Sequence, residues 1–233
     1  GYSGHYALNF FTNMVAWGAA KVLALSFRPM RDDPKRKIKV VPPLLRPEVL
    51  SLRRADGTDD PAVRDGGYIH GYMLNAGFSQ DVLEWHSAHP DVPLRFFWDR
   101  ADEAPVKVVD ETLSFYYLND EEFLRQMAGC HAYASTAGFE SVCEAMYLGK
   151  PLLMVPSHVE QKCNAYDATE GYTMDCGAVD GVKENGSVPR PAVTSDSFDL
   201  DLLLHFADNE FVADKSFPQW ARLADLVFLK ELT

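Results

Sequence analysis

The stretch that most constrains the fold is residues 131–155, where two short apolar runs flank an amphipathic segment. The runs at 131–134 and 151–155 predict buried strands. Between them, the apolar spacing over 140–148 predicts a helix, which Gly149 and Pro151 bring to an end. Two strands joined by a helix are expected to lie parallel in one sheet, because a parallel pair needs a long crossover.

The same alternation of strands and helices continues across residues 68–233. Strands are predicted at 68–73, 94–98, 106–109 and 113–117, and helices at 79–89, 121–127, 164–170, 196–208 and 217–232. The expected N-caps are Ser79, Asn119 or Asp120, and Asp196. This pattern predicts an α/β fold, a parallel sheet with helices on both faces.

Ligands of such sheets bind beyond the carboxyl ends of the strands. Four loops follow predicted strands, at 74–77, 117–119, 135–140 and 156–163. We therefore expect these loops to line one edge of the sheet.

Residues 1–46 have a different pattern, with a predicted helix at 5–20 and short strands at 22–27 and 38–41. Prolines 42, 43 and 47 predict a stiff linker after the second strand. The segment 47–67, rich in Arg, Asp and Gly, is predicted to be a flexible, exposed loop.

The composition excludes several classes of protein. With 233 residues and 47% hydrophobic side chains, the chain can bury a core. A net charge of −12 argues against a nucleic-acid partner. No run reaches the roughly 18 apolar residues of a membrane span. The four cysteines lack Cys-x-x-Cys spacing, which favours a reduced, cytoplasmic protein over a disulfide framework or a zinc site.

The turn before the helix at 140–148 is the main candidate binding site. Gly138 lets the backbone approach a ligand closely, and the N–H groups of Phe139, Glu140 and Ser141 are expected to attract a diphosphate. Glu144 lies one turn further along, where its carboxylate can accept both hydroxyls of a ribose. The alternative is that Glu140 and Glu144 belong to an ordinary solvated helix face.

A second group of polar residues follows the strand at 151–155. Glu160 and Gln161 suit the vicinal hydroxyls of a sugar, whereas Asn164 can equally be a ligand or the N-cap of the helix at 164–170. The spacing of His158, Glu160 and Cys163 fits no known metal-ligand pattern, so no metal is expected.

Two further loops are weaker candidates. Asn75 and Gly77 form a second turn that suits an anion, although they do not complete a Gly-x-Gly-x-x-Gly motif. Tyr117 ends a predicted strand where a nucleotide base can stack, and Tyr116 is assigned either to that role or to core packing.

These motifs carry a resemblance to a known family. Residues 136–145, then Gly149-Lys150-Pro151, Pro156, Glu160-Gln161 and Asn164-Ala165, resemble the donor-binding signature of GT-B glycosyltransferases. The signature is similar to the C-terminal domains of UDP-glycosyltransferases and of the bacterial N-acetylglucosaminyltransferase of peptidoglycan synthesis. The plant-type signature begins with His-Gly-Gly, where this chain has Thr136-Ala137-Gly138.

The resemblance implies a Rossmann-like domain and a role for each matching residue. The start of the helix, Phe139 to Ser141, would hold the diphosphate and Glu144 the ribose. Glu160, Gln161 and Asn164 would contact the donor sugar, and Tyr117 would face the base. The implied substrate is a nucleotide sugar, expected to be UDP-linked, with no other cofactor.

The resemblance also implies a division of the chain. Residues 1–46 would be the tail of an acceptor domain plus the linker, 47–67 a loop, and 68–233 the donor-binding domain. The general base is expected outside this chain, so the isolated chain is expected to be inactive. The acceptor can be a lipid, a glycan or a small molecule, and the acceptor domain can provide peripheral attachment at the inner face of a membrane.

Two alternatives remain open at this point. One is a sugar-nucleotide epimerase or hydrolase on the same fold, and the other is a non-catalytic nucleotide-binding domain.

Overall fold

The computed structural model describes residues 13–53, 58–73, 76–100, 104–171 and 188–232. Near the start of this range, β1 (Val22–Leu25) and β2 (Ile38–Val41) form a small parallel sheet in which Val22 lies opposite Ile38. The predicted strand at 22–27 ends two residues early, because Phe27 leaves the sheet and is buried in the main core. The first half of the helix predicted at 5–20, residues 5–12, lies outside the described residues; in the described half, residues 13–15 are helical and 16–18 form a turn.

A seven-stranded sheet forms the centre of the molecule. In chain order its strands are β3 (Ile69–Met73), β4 (Leu94–Trp98), β5 (Val106–Val108), β6 (Leu113–Tyr117), β7 (Ala132–Ser135), β8 (Leu152–Met154) and β9 (Ala192–Thr194). Their spatial order is β5-β6-β4-β3-β7-β8-β9, and all neighbours are parallel except β5 and β6.

The order of the parallel strands determines where a ligand can bind. Counted among themselves along the chain, the six parallel strands have the order 3-2-1-4-5-6, the arrangement of dinucleotide-binding folds. The direction of chain progression reverses between β3 and β7, which opens a crevice at their carboxyl ends. The predicted fold class, a Rossmann-like parallel sheet with helices on both faces, is confirmed.

Helices cover both faces of this sheet. They are α1 (Pro47–Leu52), α2 (Ser79–Ala88), α3 (Asp120–Gly129), α4 (Phe139–Tyr147), α5 (Val159–Ala168), α6 (Leu200–Asn209), α7 (Phe217–Arg222) and α8 (Ala224–Leu232). Residues of α1, α3, α4, α5 and α7 pack into one core, whereas α2 and α6 pack into the other. In β8, Leu152 and Met154 enter the first core and Leu153 enters the second, as the period of two in a strand requires.

Helix caps agree with the sequence in one place and differ in two. The Asn119 side chain accepts a hydrogen bond from the Glu122 N–H and caps α3, which was one of the two expected choices. Asp199, not Asp196, caps α6 by accepting from the Leu202 N–H. Ser79 is the first residue of α2 and does not cap it, since Phe78 occupies the N-cap position.

Three elements depart from the sequence prediction. The segment 47–67 does not lack structure, because α1 occupies its first six residues; Pro47 suits the first helical position and Val49 is fully buried. Strand β9 was not predicted. The long helix predicted at 217–232 is two helices, α7 and α8, separated at Leu223.

None of the helices in the described ranges is both long enough and apolar enough to cross a membrane.

Candidate functional site

The turn between β7 and α4 is held in an unusual conformation. Ala137 has φ of +62°, in the left-handed region that L-residues other than glycine seldom adopt. Its N–H donates to Ser135 Oγ at 3.2 Å, and its carbonyl accepts from Asn164 Nδ2 at 3.1 Å. Side chains therefore hold both polar groups of this residue, which offsets part of the conformational cost.

The N-terminus of α4 follows this turn directly and has no side-chain cap. Gly138 occupies the N-cap position, and the N–H groups of Phe139, Glu140 and Ser141 have no acceptor within the helix. The Ser141 hydroxyl donates to the Gly138 carbonyl at 3.3 Å. Uncapped N–H groups at the positive end of a helix dipole form a site for an anion.

A cavity of about 390 Å³ lies against this helix end. Its volume is in the range of small-molecule sites. Residues from five parts of the chain line it: the linker, the end of β3, the end of β6, helix α3, and helix α4 with its N-cap. They are Arg46, Tyr72, Leu118, Asp120, Phe123, Gly138, Phe139, Glu140, Ser141 and Glu144.

Glu144 is buried beside the cavity and paired with Arg46. The Arg46 guanidinium donates from Nε to Glu144 Oε1 at 2.6 Å and from Nη2 to Oε2 at 2.8 Å. Only 1% of the Glu144 side chain is exposed, so it does not belong to a solvated helix face. Asp120 Oδ1 lies 3.7 Å from Arg46 Nη1 and adds a second, exposed carboxylate.

Two opposing effects act on the ionisation of this pair. Burial raises the pKa of Glu144, and the hydrogen bonds and charge of Arg46 counteract that rise without cancelling it. The same hydrogen bonds raise the pKa of Arg46, which therefore stays charged. Each carboxylate oxygen of Glu144 uses one lone pair on Arg46 and retains a second, so it can still accept a ligand hydroxyl.

Sequence reasoning missed Arg46, which comes from the linker after β2. The available signals were that a buried glutamate needs a cationic partner and that Arg46 stands beside Pro47 in a stiff segment. Neither signal identifies the pairing, because 98 residues separate the two side chains.

The residues predicted to contact a sugar lie on α5. This helix begins at Val159 with His158 as its N-cap, so Asn164 is inside the helix and its interpretation as an N-cap is wrong. Gln161 is buried, and its Oε1 accepts from the Ser157 N–H and hydroxyl, both at 2.8 Å. Glu160 is exposed in the first turn.

The remaining candidates lie on two other loops. Tyr116 stacks on Phe97 with ring centroids 5.0 Å apart, which supports its interpretation as a core residue. Tyr117 is 40% exposed at the end of β6, next to Leu118 of the cavity wall. Gly77 lies in the 3₁₀ turn Ala76–Phe78 after β3, and Asn75 lies outside the described residues. The second anion-binding turn stays a prediction.

The segment around β1 docks directly against the start of α4. Phe27 is buried and packs on Phe139, with ring centroids 4.7 Å apart. Arg28 Nη1 donates to Asp167 Oδ1 of α5 at 2.6 Å, and Trp220 Nε1 of α7 donates to the Ser26 carbonyl at 3.0 Å. The first strands thus help to hold the helices that form the site.

Within the described ranges, no group of three or more His, Cys, Asp or Glu side chains is placed to hold a metal ion.

The sheet order and the uncapped helix facing a crevice at the switch point define a Rossmann-like domain. The chain belongs to glycosyl transferase family 1, whose family model matches residues 6–184.

Solved structures share the fold at low sequence identity. The glycotransferase of kitacinnamycin matches with a TM-score of 0.52 at 17% identity, over 84% of this chain and 50% of its own. Arabidopsis thaliana UGT89C1 complexed with UDP matches with a TM-score of 0.51 at 18% identity, over 85% of this chain and 52% of its own. The chain thus spans about half the length of these proteins. No curated protein matches its sequence.

Proposed function

We propose that this chain forms the donor-binding part of a glycosyltransferase that uses a nucleotide sugar, with UDP as the expected nucleotide. The observation that carries the proposal is the uncapped N-terminus of α4, which opens into the cavity one turn away from Glu144. An anion site and a carboxylate at this spacing suit a diphosphate joined to a ribose.

The diphosphate would bind at the start of α4. The N–H groups of Phe139, Glu140 and Ser141 supply donors that need no rearrangement, and the helix dipole favours negative charge. Arg46 places one positive charge in a cavity wall that also carries the carboxylates of Asp120, Glu140 and Glu144, so the N–H groups of the helix, and not the net charge, would favour the diphosphate.

The ribose would bind at Glu144. Arg46 occupies one lone pair on each carboxylate oxygen and fixes the plane of the group. The remaining lone pairs can accept the two vicinal hydroxyls of the ribose. The pairing with Arg46 thus supports the predicted role, because it opposes protonation of a buried carboxyl.

The two ends of the donor would extend to opposite sides of α4. Leu118 and Tyr117, at the end of β6, suit the nucleotide base. Glu160 and Gln161 at the start of α5 remain our candidates for the donor sugar. Gln161 already uses its side-chain oxygen on Ser157, which leaves its amide nitrogen as the group to donate to a sugar hydroxyl.

In the proposed reaction an acceptor hydroxyl attacks the anomeric carbon, and the bond from that carbon to the diphosphate breaks. Negative charge develops on the departing diphosphate, where the N–H groups of α4 are already oriented. The residues of this chain therefore bind the donor and stabilise its leaving group. The general base is assigned to the acceptor domain.

Substitution of Glu144 tests this proposal. We expect Glu144→Ala to weaken UDP binding about tenfold or more, measured by isothermal titration calorimetry. Glu111→Ala is the matched control, because Glu111 is exposed in the turn between β5 and β6. Equal affinities of the Glu144→Ala and wild-type chains would remove the ribose role.

Incubation with UDP-glucose and no acceptor separates the remaining functions. A glycosyltransferase donor domain leaves the sugar nucleotide intact over the time of the assay. Release of glucose, or formation of an epimer, detected by chromatography would instead indicate the hydrolase or the epimerase.

A further inference from the structure

The peptide between Ala137 and Gly138 connects the strained turn to the donor site. Within the described ranges, Ala137 and Lys37 are the non-glycine residues with positive φ; Lys37 lies in an exposed turn, whereas Ala137 is fully buried. A peptide unit is planar, so the Ala137 C=O and the Gly138 N–H point in opposite directions. Whatever holds that carbonyl also fixes the Gly138 N–H and the backbone that leads into α4, whose next N–H groups, those of Phe139 to Ser141, are the proposed donors to the diphosphate.

Asn164 is the residue that holds the carbonyl from a distance. It lies inside α5 and reaches 27 residues back along the chain to donate to the Ala137 oxygen at 3.1 Å. The Ala137 N–H donates to the Ser135 hydroxyl, but Ser135 belongs to β7, the strand that leads directly into the turn. The hydrogen bond from Asn164 therefore connects the turn to a separate helix, α5.

The alternatives for Asn164 fit the structure less well. It cannot cap α5, since that helix begins at Val159. A carboxamide has two donor hydrogens and one acceptor oxygen. One donor hydrogen is already committed to Ala137, and this fixes the orientation of the side chain.

We propose that Asn164 is a positioning residue for the diphosphate: it holds the Ala137–Gly138 peptide so that the start of α4 presents its N–H groups to the donor. This inference rests on the proposed function of the α4 N-terminus. It assigns Asn164 an action on the nucleotide through Ala137, and not a contact with the sugar.

The first test compares UDP with UDP-glucose in the Asn164→Ala variant. Positioning predicts that affinity for both probes falls by the same factor, about fivefold to tenfold, because both contain the diphosphate. A direct sugar contact predicts a loss for UDP-glucose alone, and that result would overturn the proposal.

The second test is rescue by glycine. Glycine adopts positive φ without the cost that alanine carries, so it needs less support from Asn164. We expect Ala137→Gly, added to Asn164→Ala, to restore UDP affinity to within about threefold of wild type. Failure of the second substitution to raise affinity would contradict the positioning role.

Asn209→Ala is the matched control. The Asn209 amide also donates to a backbone carbonyl, that of His205 at 2.9 Å, but it does so in α6 on the other face of the sheet. We expect this variant to bind UDP like the wild type, with or without Ala137→Gly.

Thermal unfolding keeps this test separate from the proposed function. Asn164→Ala should lower Tm less in the Ala137→Gly variant than in the wild type. Glycine removes the cost of positive φ at this position, which the hydrogen bond from the Asn164 amide otherwise offsets. Additive changes in Tm would overturn the inference even in a chain that binds UDP. If the wild type binds neither UDP nor UDP-glucose, the proposed function fails, and the positioning role fails with it.

Discussion

Arg46 and Glu144 show how much depends on single residues at this site. A buried carboxylate without a partner is expected to take up a proton. Removal of one member of a buried ion pair destabilises a fold by about 3–5 kcal/mol. Arg46 opposes the protonation of Glu144, whose ionised form is proposed to accept the ribose hydroxyls, and it also lines the cavity. The chemistry attributed to one residue therefore belongs to a pair.

Removal of Arg46 should make donor binding depend on pH. Burial already raises the pKa of Glu144, and loss of the guanidinium raises it further. In Arg46→Met we expect UDP affinity to fall as pH is lowered through the range around the raised pKa of Glu144, because the protonated carboxyl accepts fewer hydrogen bonds. Calorimetry across this range measures the effect.

The stability of Arg46→Met should change with pH in the opposite direction to its UDP affinity. A carboxyl whose folded pKa is raised stabilises the fold at low pH, and this contribution is lost as pH rises through that pKa. The Tm of Arg46→Met should therefore increase, relative to wild type, as pH is lowered. The control is Arg36→Met, which breaks an exposed pair with Asp33. Parallel pH profiles for Arg46→Met and wild type would contradict the assignment.

At the scale of elements, helix α4 is supported by the segment that follows β1. Phe27, which follows β1, packs against Phe139, the first residue of α4. The aromatic contact supports the helix at the end where the diphosphate is proposed to bind. A change at Phe27 therefore affects both core packing and the direction of the N–H groups.

A pair of matched core substitutions separates these two effects. Phe27→Leu and Phe206→Leu each shorten a fully buried aromatic side chain, at a cost of about 1 kcal/mol. Phe206 lies in α6 and is remote from the cavity. We expect similar losses in Tm but a weaker UDP affinity only for Phe27→Leu. Equal UDP affinities of the Phe27→Leu and Phe206→Leu variants would show that Phe27 contributes only to core packing.

The accuracy of the element predictions follows the kind of signal that each element carries. Helix α4 was predicted within one residue at each end, because a regular apolar face lies between Gly138 and Gly149. Helix α5 was placed five residues late, since His158 provides no cap signal and Asn164 resembles one. Helix α1 was missed because it has six residues and is held by the burial of Val49.

At the scale of the whole molecule, contacts join the small sheet to the large one. Arg28 pairs with Asp167, Trp220 bonds to Ser26, and Arg46 bonds to Glu144. These contacts reach α5, α7 and α4 respectively, so β1 and β2 are tied to one face of the central sheet.

We therefore expect the described parts of the chain to unfold together. Differential scanning calorimetry should give one transition whose calorimetric and van't Hoff enthalpies agree. Arg28→Met should lower Tm without splitting the peak, with Lys39→Met as the control for loss of an exposed ion pair. Two separated transitions in the wild type would show that the small sheet folds independently.

Local pattern determined the fold class, the succession of strands and helices, and the identity of the helix that begins at the candidate site. These features are encoded by short-range periodicity and by the glycines and prolines between elements. The tertiary structure alone decided that Arg46 pairs with Glu144 and that Asn164 supports Ala137. Those contacts join segments far apart in sequence, and they form only when the strand order brings the segments together, which no local pattern records.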